Sequence, residues 1–565
     1  MFRINYSRGG PSWLLGLAVA CATTATAQTS LYTFNGAGIN DRLGVAVAAA
    51  GDVNGDSYPD LIVGATEDFN IFAMQPGYAR VYSGLDGSVL LDLNSAGSGA
   101  SGELFGAAVD GVGDVDSDGF GDVIVGVPRD GSNGNSSGAA YVFSGQNGQL
   151  LHTILGVSTG YRAGAAVSGA GDANNDGIPD FAVGMPGASV NGANSGLVRV
   201  YSGISGVLLF EVLGQAIGER LGVSLDALGD VDGNGFDDIL VGSYAAGAQI
   251  LSGVDGSLIR SFTASSTSDY LGIAVRGIGD VTGDSVPDVI VGAIQPTVFL
   301  PGGSGYALVL DSATGAEIHR FDGVSAGDRF GVDVDIAGDY NGDGQMDYLV
   351  GSEPSSTSSA GYVQVLSGSD GALIATLVSP SSSSTYGLAL AYLGDINGDG
   401  TEEFAVSDPQ ESSLMLAAGR LTVESGVGNT CGSPSNYCTA LPNSTGFPAS
   451  ISFLGSNSKF SNDLFLISTG LPPNQLGIFY YGAGMDSVPL GNGLRCVANP
   501  GYRMPVTHIG ASGTTAWMFD NNALPNPSPP ITSGSTWYFQ FWYRDPLAGG
   551  ASMNFSDALK IPFCP

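Results

Sequence analysis

Short runs of apolar residues, some alternating with polar ones and some continuous, follow one another along most of this chain, and glycine, asparagine and aspartate separate them. Runs this short, bounded by turn formers, predict strands and not helices. One stretch shows the plan. Leu43-Gly44-Val45-Ala46-Val47 alternates and reads as a first strand, Leu61-Ile62-Val63-Gly64 as a short buried second, and Ala79-Arg80-Val81-Tyr82-Ser83-Gly84 as a third. Asp86-Gly87 then turns the chain into Val89-Leu90-Leu91-Asp92-Leu93, a fourth.

The plan repeats. A Gly-Asp step recurs at Gly51, Gly113, Gly171, Gly229, Gly279, Gly338 and Gly394, at intervals of 62, 58, 58, 50, 59 and 56 residues. A period near 57 filled only with strand signals predicts an all-β fold, a seven-bladed β-propeller. The turn and outer strand recur as Gly148 before Leu150-Leu151, Gly206 before Val207-Leu208, Gly256 before Leu258-Ile259, Gly315 before Glu317-Ile318 and Gly371 before Leu373-Ile374. The seventh copy has no such strand after Arg420-Leu421-Thr422-Val423. At the other end, Leu31-Tyr32-Thr33-Phe34-Asn35-Gly36 resembles His152-Thr153-Ile154-Leu155-Gly156 in pattern. Residues 30–36 are therefore expected to complete blade seven, leaving no open sheet edge there.

Each Gly-Asp step opens a nine-residue phrase with acidic or polar residues at alternate positions. Oxygen donors at every second position of a tight loop suit a hard cation such as Ca²⁺, whereas a softer metal calls for Cys or His. The phrase begins like an EF-hand loop, which needs Glu at position twelve and flanking helices. Position twelve is instead Val63, Val125, Val183, Val241, Val291, Val350 or Val406, each inside the next strand.

Charge changes the picture of organisation. Residues 28–425 hold 48 acids and 11 arginines, whereas residues 426–565 hold five acids and five bases. The break predicts a propeller over 28–425 and a second β-rich domain over 426–565. Of the 48 acids, 22 stand at positions one, three, five and nine of the phrases, so solubility alone does not account for them. The acidity excludes a nucleic-acid partner, which requires basic patches. Residues 1–27 read as a cleaved export signal: Arg3 and Arg8, an apolar run over 13–20, then Ala25-Thr26-Ala27. That places the protein outside the cell, secreted or at its surface, with a lipid anchor on Cys21 as the alternative. No transmembrane span is expected after the signal. In an exported chain Cys431, Cys438, Cys496 and Cys564 are expected to form two disulfides, in any of three pairings. Their spacing, with only His508 nearby, does not suit zinc.

The blades carry two further signatures. One is Phe105-Gly106 and Phe330-Gly331, with Leu43-Gly44, Ala163-Gly164, Leu221-Gly222, Leu271-Gly272 and Tyr386-Gly387 as variants. The other is Gly126-Val127-Pro128 and Gly184-Met185-Pro186, with looser copies at Gly64-Ala65-Thr66 and Gly292-Ala293-Ile294. Over about 400 residues and all seven copies, the chain resembles the FG-GAP repeats of the integrin alpha-chain β-propeller. The resemblance implies Ca²⁺ in the loop between the first two strands of each blade. Side chains at positions one, three, five and nine, with the carbonyl of position seven, would hold it. The implied ligands, up to seven sites, are Asp52, Asn54, Asp56, Tyr58 and Asp60; Asp114, Asp116, Asp118, Phe120 and Asp122; Asp172, Asn174, Asp176, Ile178 and Asp180; Asp230, Asp232, Asn234, Phe236 and Asp238; Asp280, Thr282, Asp284, Val286 and Asp288; Asp339, Asn341, Asp343, Gln345 and Asp347; and Asp395, Asn397, Asp399, Thr401 and Glu403. Position six should allow a sharp turn, and it is Gly except at Ser57 and Ser285. Blade two, with four aspartates, has the strongest donor set. Blade five, with Thr282 and Ser285, has the poorest, and Glu403 makes blade seven's ninth ligand one methylene longer.

Catalytic chemistry is not evident. His152 and His319 fall in outer strands and His508 in the second domain, none beside a nucleophile pattern, and no phosphate-binding glycine motif is present. The strand connections opposite the acidic loops, such as residues 131–138 and 301–305, offer binding surface on a rigid ring. Residues 427–565 read as a small β-sandwich stapled by disulfides and look like C-terminal modules of other bacterial exported repeat proteins. In them Thr536-Trp537-Tyr538-Phe539-Gln540-Phe541-Trp542-Tyr543-Arg544 is the clearest strand. Its rings serve core packing before carbohydrate binding. The expected function is an exported, calcium-binding, non-enzymatic module for adhesion to an extracellular protein or polysaccharide. The alternatives are a polysaccharide hydrolase or lyase and a structural surface component.

Overall fold

A computed structural model of the chain describes residues 30–66, 77–94, 102–296, 303–354, 360–379, 385–412, 417–425, 435–454, 464–498, 501–519, 535–548 and 552–562. Residues 1–27, the segment expected to be an export signal, with Cys21, and Cys431 and Cys564, lie outside the described residues. Among the described residues there is no α-helix, and no helix is long and apolar enough to cross a membrane.

Seven four-stranded antiparallel sheets follow the predicted repeat. Blade one runs Leu43–Gly51, Asp60–Ala65, Tyr78–Tyr82 and Val89–Asn94 in spatial as well as chain order. Blade seven is Leu390–Gly394, Glu403–Asp408 and Arg420–Ser425, with Ser30–Asn35 as its outer strand. Phe34 stands opposite Leu421 and Thr33 opposite Thr422, so the displaced strand expected from the sequence is in place. The second strand of every blade is covered on both faces, which explains its unbroken apolar character: Leu61, Ile62 and Val63 are fully buried. Each fully buried aliphatic side chain of this kind is worth about 1.5–3 kcal/mol.

The core lies between blades. Ile62 and Val81 of blade one pack with Val123 and Val125 of blade two, and Leu61 and Val63 pack with Ala405, Leu421 and Val423 of blade seven. A parallel bridge, Leu43 to Gly419, joins blade seven to blade one as Gly138 to Ala163 joins blade two to three. The first strands of all seven blades surround one axial cavity of about 290 Å³. These contacts close the ring.

The Gly-Asp step has a mechanical cause. In every blade the ladder between first and second strands shifts register at this glycine, opposite position nine of the phrase. All seven glycines take φ between 61° and 77°, the left-handed region that other residues disfavour. The bulge turns the first strand into the acidic loop.

Residues beyond the propeller form a five-stranded sheet in the order Ser435–Asn436, Met553–Pro562, Thr536–Arg544, Leu476–Gly482, Tyr502–His508. A three-stranded sheet (Ser450–Leu454, Phe465–Thr469, Thr515–Met518) and a hairpin (Met485–Leu490, Gly493–Val497) accompany it. Trp537, Phe539, Phe541 and Tyr543 form a core with Ile451 and Leu466 of the smaller sheet, the expected sandwich. Cys438 and Cys496 are joined as a disulfide, which selects one of the possible partners for each.

Candidate metal-binding loops

The seven acidic loops share one internal wiring. Oδ2 of the first aspartate (Asp52, Asp114, Asp172, Asp230, Asp280, Asp339, Asp395) accepts the N–H of position six at 2.7–2.9 Å. Its Oδ1 accepts the N–H of position five at 2.9–3.2 Å. The side chain of position five (Asp56, Asp118, Asp176, Asn234, Asp284, Asp343, Asp399) accepts the N–H of position seven (Tyr58, Phe120, Ile178, Phe236, Val286, Gln345, Thr401) at 2.8–3.0 Å. Ser57 and Ser285 adopt the left-handed backbone of the glycines that replace them elsewhere, at φ 73° and 71°. Position four is left-handed too in every loop, whether it is Gly55, Ser117 or Asn175, a requirement the alternate-position reading missed.

Position nine is the most constrained. Asp60, Asp122, Asp180, Asp238, Asp288, Asp347 and Glu403 are all fully buried. One oxygen of Asp60 accepts Val53 N–H and the other Gly84 N–H, from the hairpin between strands three and four. The same pair of bonds holds Asp122 (Val115, Gly145) and Asp238 (Val231, Gly253). The longer Glu403 takes Ile396 N–H and the hydroxyl of Ser425 instead. Burial first, and then neighbouring loop carboxylates, push Asp60 and Asp122 up to about 6 and Glu403 to about 8. No ion pair among the described residues reaches these loops.

Two loops bring three carboxylates together. Oxygens of Asp114, Asp116 and Asp122 lie within 4.8 Å of one another, as do those of Asp230, Asp232 and Asp238. Both loops have aspartate at position three. The others carry Asn54, Asn174, Thr282, Asn341 or Asn397 there. Asn174 and Asn341 turn an amide N–H onto the ninth aspartate, at 3.1 and 3.3 Å. A carboxylate oxygen that accepts one N–H keeps a second lone pair, so the wiring leaves oxygens free for a cation. The donor set is all oxygen, and it fits a hard divalent ion.

Positions seven and eight couple neighbouring loops, a role alternation did not reveal. A Cβ on Gly55 would meet the Phe120 ring of the next blade at 2.8 Å, and Tyr58 packs likewise on Gly398 of blade seven. Asp237 accepts Asp172 N–H at 2.8 Å and Glu402 accepts Asp339 N–H at 3.1 Å, both across blades. His152 and His319 tie blades together as well, contacting the carbonyls of Gly203 and Gly368 in the next blade at 2.6 and 3.2 Å.

A second acidic set lines the axis. Asp110, Asp226, Asp333 and Asp335 stand on first strands, and each accepts a backbone N–H of the next blade: Gly169, Gly277, Leu390 and Tyr392. Arg276 of blade five reaches Asp226 of blade four at 3.0 Å and Asp335 of blade six at 2.9 Å. Burial pushes Asp110 up to about 6 despite the Arg276 charge, and pushes Asp333 to about 7.

On the end opposite the acidic loops, Arg129 and Arg162 are exposed and enter no ion pair among the described residues. Arg220 lies 5.0 Å from the Tyr244 ring, which stacks on Tyr270 at 4.7 Å. Residues 131–138 belong to this end, whereas Pro301 and Gly302 of the blade-five connection lie outside the described residues.

Comparisons with known proteins agree with this architecture. The FG-GAP repeat family matches residues 43–79 and 105–143, and the FG-GAP-like repeat family matches 331–406. Integrin alpha-8 of Mus musculus is 30% identical over 221 residues, covering 36% of this chain and 20% of the integrin. Integrin alpha-7 of Rattus norvegicus is 40% identical over 141 residues, 23% of this chain and 12% of that protein. The chain thus spans about a fifth or less of the length of these relatives. A solved structure titled "Crystal Structure of Mitotic Checkpoint Complex" aligns over 75% of this chain and 98% of its own, with 12% identity and a TM-score of 0.42, too low to carry an argument.

Proposed function

We propose, from the premise that the chain carries FG-GAP repeats on a β-propeller, that it is an exported, Ca²⁺-stabilised adhesion module that binds a protein outside the cell. The observation that carries this reading is the set of seven oxygen-lined loops, whose buried ninth acids have neighbouring carboxylates and no cationic partner among the described residues. Carboxylates so placed are stable when protonated or when a cation joins them, and at neutral pH a divalent ion serves. Positions one, three, five and nine, with the carbonyl of position seven, would hold the ion. Its charge would lock each of the first six loops to the adjoining hairpin, through Gly84 in blade one and its counterparts, and the blade-seven loop to Ser425. With the loops committed to the scaffold, the opposite end, with Arg129, Arg162 and the Arg220–Tyr244–Tyr270 group, is the face proposed for the ligand; Arg and Tyr are the residue types enriched at protein interfaces. The exposed Arg129 and Arg162 favour acidic groups on the partner. The export signal over 1–27 and the domain division near residue 426 belong to the same proposal. Calorimetric titration of the chelated protein with Ca²⁺, followed by pull-down of extracellular proteins by wild type and an Arg129→Glu, Arg162→Glu double variant, tests it. Absence of Ca²⁺ binding, or equal capture by both proteins, counts against it.

A further inference from the structure

The five-stranded sheet of the C-terminal unit has a second face that the sandwich core does not use. Along Thr536–Arg544, Trp537, Phe539, Phe541 and Tyr543 enter the core, so Gln540 and Trp542 fall on the other side. Trp542 stands opposite Ile478 on one neighbour and Phe555 on the other, and Tyr480 stands opposite Arg503. The hairpin Met485–Leu490 and Gly493–Val497, anchored by the Cys438–Cys496 disulfide, brings Arg495 to the same place. Together they line a cavity of about 360 Å³, within the size range of small-ligand sites.

Its polar groups are cationic and incompletely used. Arg495 gives one Nη to Asp486, and its buried Nε–H has no hydrogen-bond partner. Arg503 is exposed and enters no ion pair among the described residues. Asp486 takes one Nη of Arg495 and no carboxylate among the described residues pairs with Arg503, so an occupant that supplies an anionic oxygen meets an excess of positive charge. A purely apolar occupant would leave that charge unmet, and a bare anion would leave Trp542 and Ile478 uncovered. We propose that this pocket binds a carboxylate carried on a six-membered ring. The carboxylate meets the guanidinium forks of Arg503 and Arg495, and the ring face lies on Trp542. A uronate unit of an acidic polysaccharide and an aromatic acid share this chemistry.

Titration calorimetry on the full chain in Ca²⁺ buffer, with a galacturonate trisaccharide, a neutral galactose trisaccharide and benzoate, tests the assignment. At least one acid should bind while the neutral sugar does not. Arg503→Ala and Trp542→Ala should each weaken binding by about tenfold or more, with the thermal unfolding curve of Arg503→Ala unchanged. Binding of the uronate identifies a glycan source, and binding of benzoate alone an aromatic acid; either supports the site. Failure of both acids, equal binding of the neutral sugar, or unaltered affinity in Arg503→Ala overturns it.

Discussion

At one end of the ring, acids cluster in seven loops that no cationic side chain among the described residues pairs with. Along the axis of the same ring, Asp110, Asp226, Asp333 and Asp335 surround the guanidinium of Arg276. Both sets use carboxylate oxygens to accept backbone N–H groups across a joint. For the ninth loop acids of blades one to six the joint is within a blade, from the phrase to the hairpin; on the axis it is between blades. They differ in how charge is managed. The axial set carries an internal counter-ion, and its ion pairs bridge blades four, five and six. The loop set depends on what the solvent supplies. The comparison teaches that an acidic chain can divide its carboxylates between permanent fastening and conditional fastening, and it can be broken experimentally at each point.

The largest effect is expected from chelation. A site held at a thousand-fold excess over its Kd stabilises by about 4 kcal/mol, so excess EDTA should lower the melting temperature by far more than any single substitution. An unchanged melting temperature would erase the distinction between the two sets. Next, Arg276→Met leaves Asp226 and Asp335 buried without their partner. A loss of about 3–5 kcal/mol is expected, of similar size with and without Ca²⁺; a loss seen only in Ca²⁺ would tie the axis to the loops.

The third effect concerns pH. Asp333 is raised to about 7 by burial, beside Asp335 and Arg276. A carboxyl raised in the folded state contributes stability at low pH, and that contribution is lost as pH climbs from the ordinary carboxylate range to about 7. Asp333→Asn keeps an acceptor for Leu390 N–H and removes the titration. Relative to wild type, the variant should gain on the order of 3 kcal/mol between pH 4 and pH 8. Melting curves across that range check it, and a constant difference between variant and wild type would sink the claim. The smallest effect separates loop from loop. Asp116→Asn turns blade two's third position into that of blades one, three, six and seven. It should weaken Ca²⁺ binding there by roughly 1–2 kcal/mol, the scale of one charge-assisted contact, while leaving the melting temperature in EDTA unchanged; calorimetry on wild type and variant resolves it.

Much of this is legible in the sequence. The Gly-Asp step marks a bulge whose glycine needs a left-handed backbone, a local requirement that leaves a direct trace in the chain. Alternating oxygens mark the loops for the same reason, and valine at position twelve excludes the EF-hand because it belongs to a strand buried on both faces. Other features left no local trace. Asp237 and Glu402 look like extra loop acids, yet they fasten neighbouring blades. Arg276 reads as an ordinary strand residue, although its partners lie 50 and 59 positions away.

What the sequence determined by itself, then, is everything set by short-range backbone chemistry: seven strand-and-loop units, their acidic phrases, and the unpaired outer strand at the N-terminal end. Only the tertiary structure decided what closure brings together. Joining Ser30–Asn35 to Arg420–Ser425 puts blade one beside blade seven, converts separate first strands into a shared axis around Arg276, and sets Trp542, Arg495 and Arg503 around one cavity in the C-terminal unit. The reason is distance along the chain: a residue's own neighbours dictate its strand or turn, but nothing in them records which remote side chain will face it once the sheets have packed.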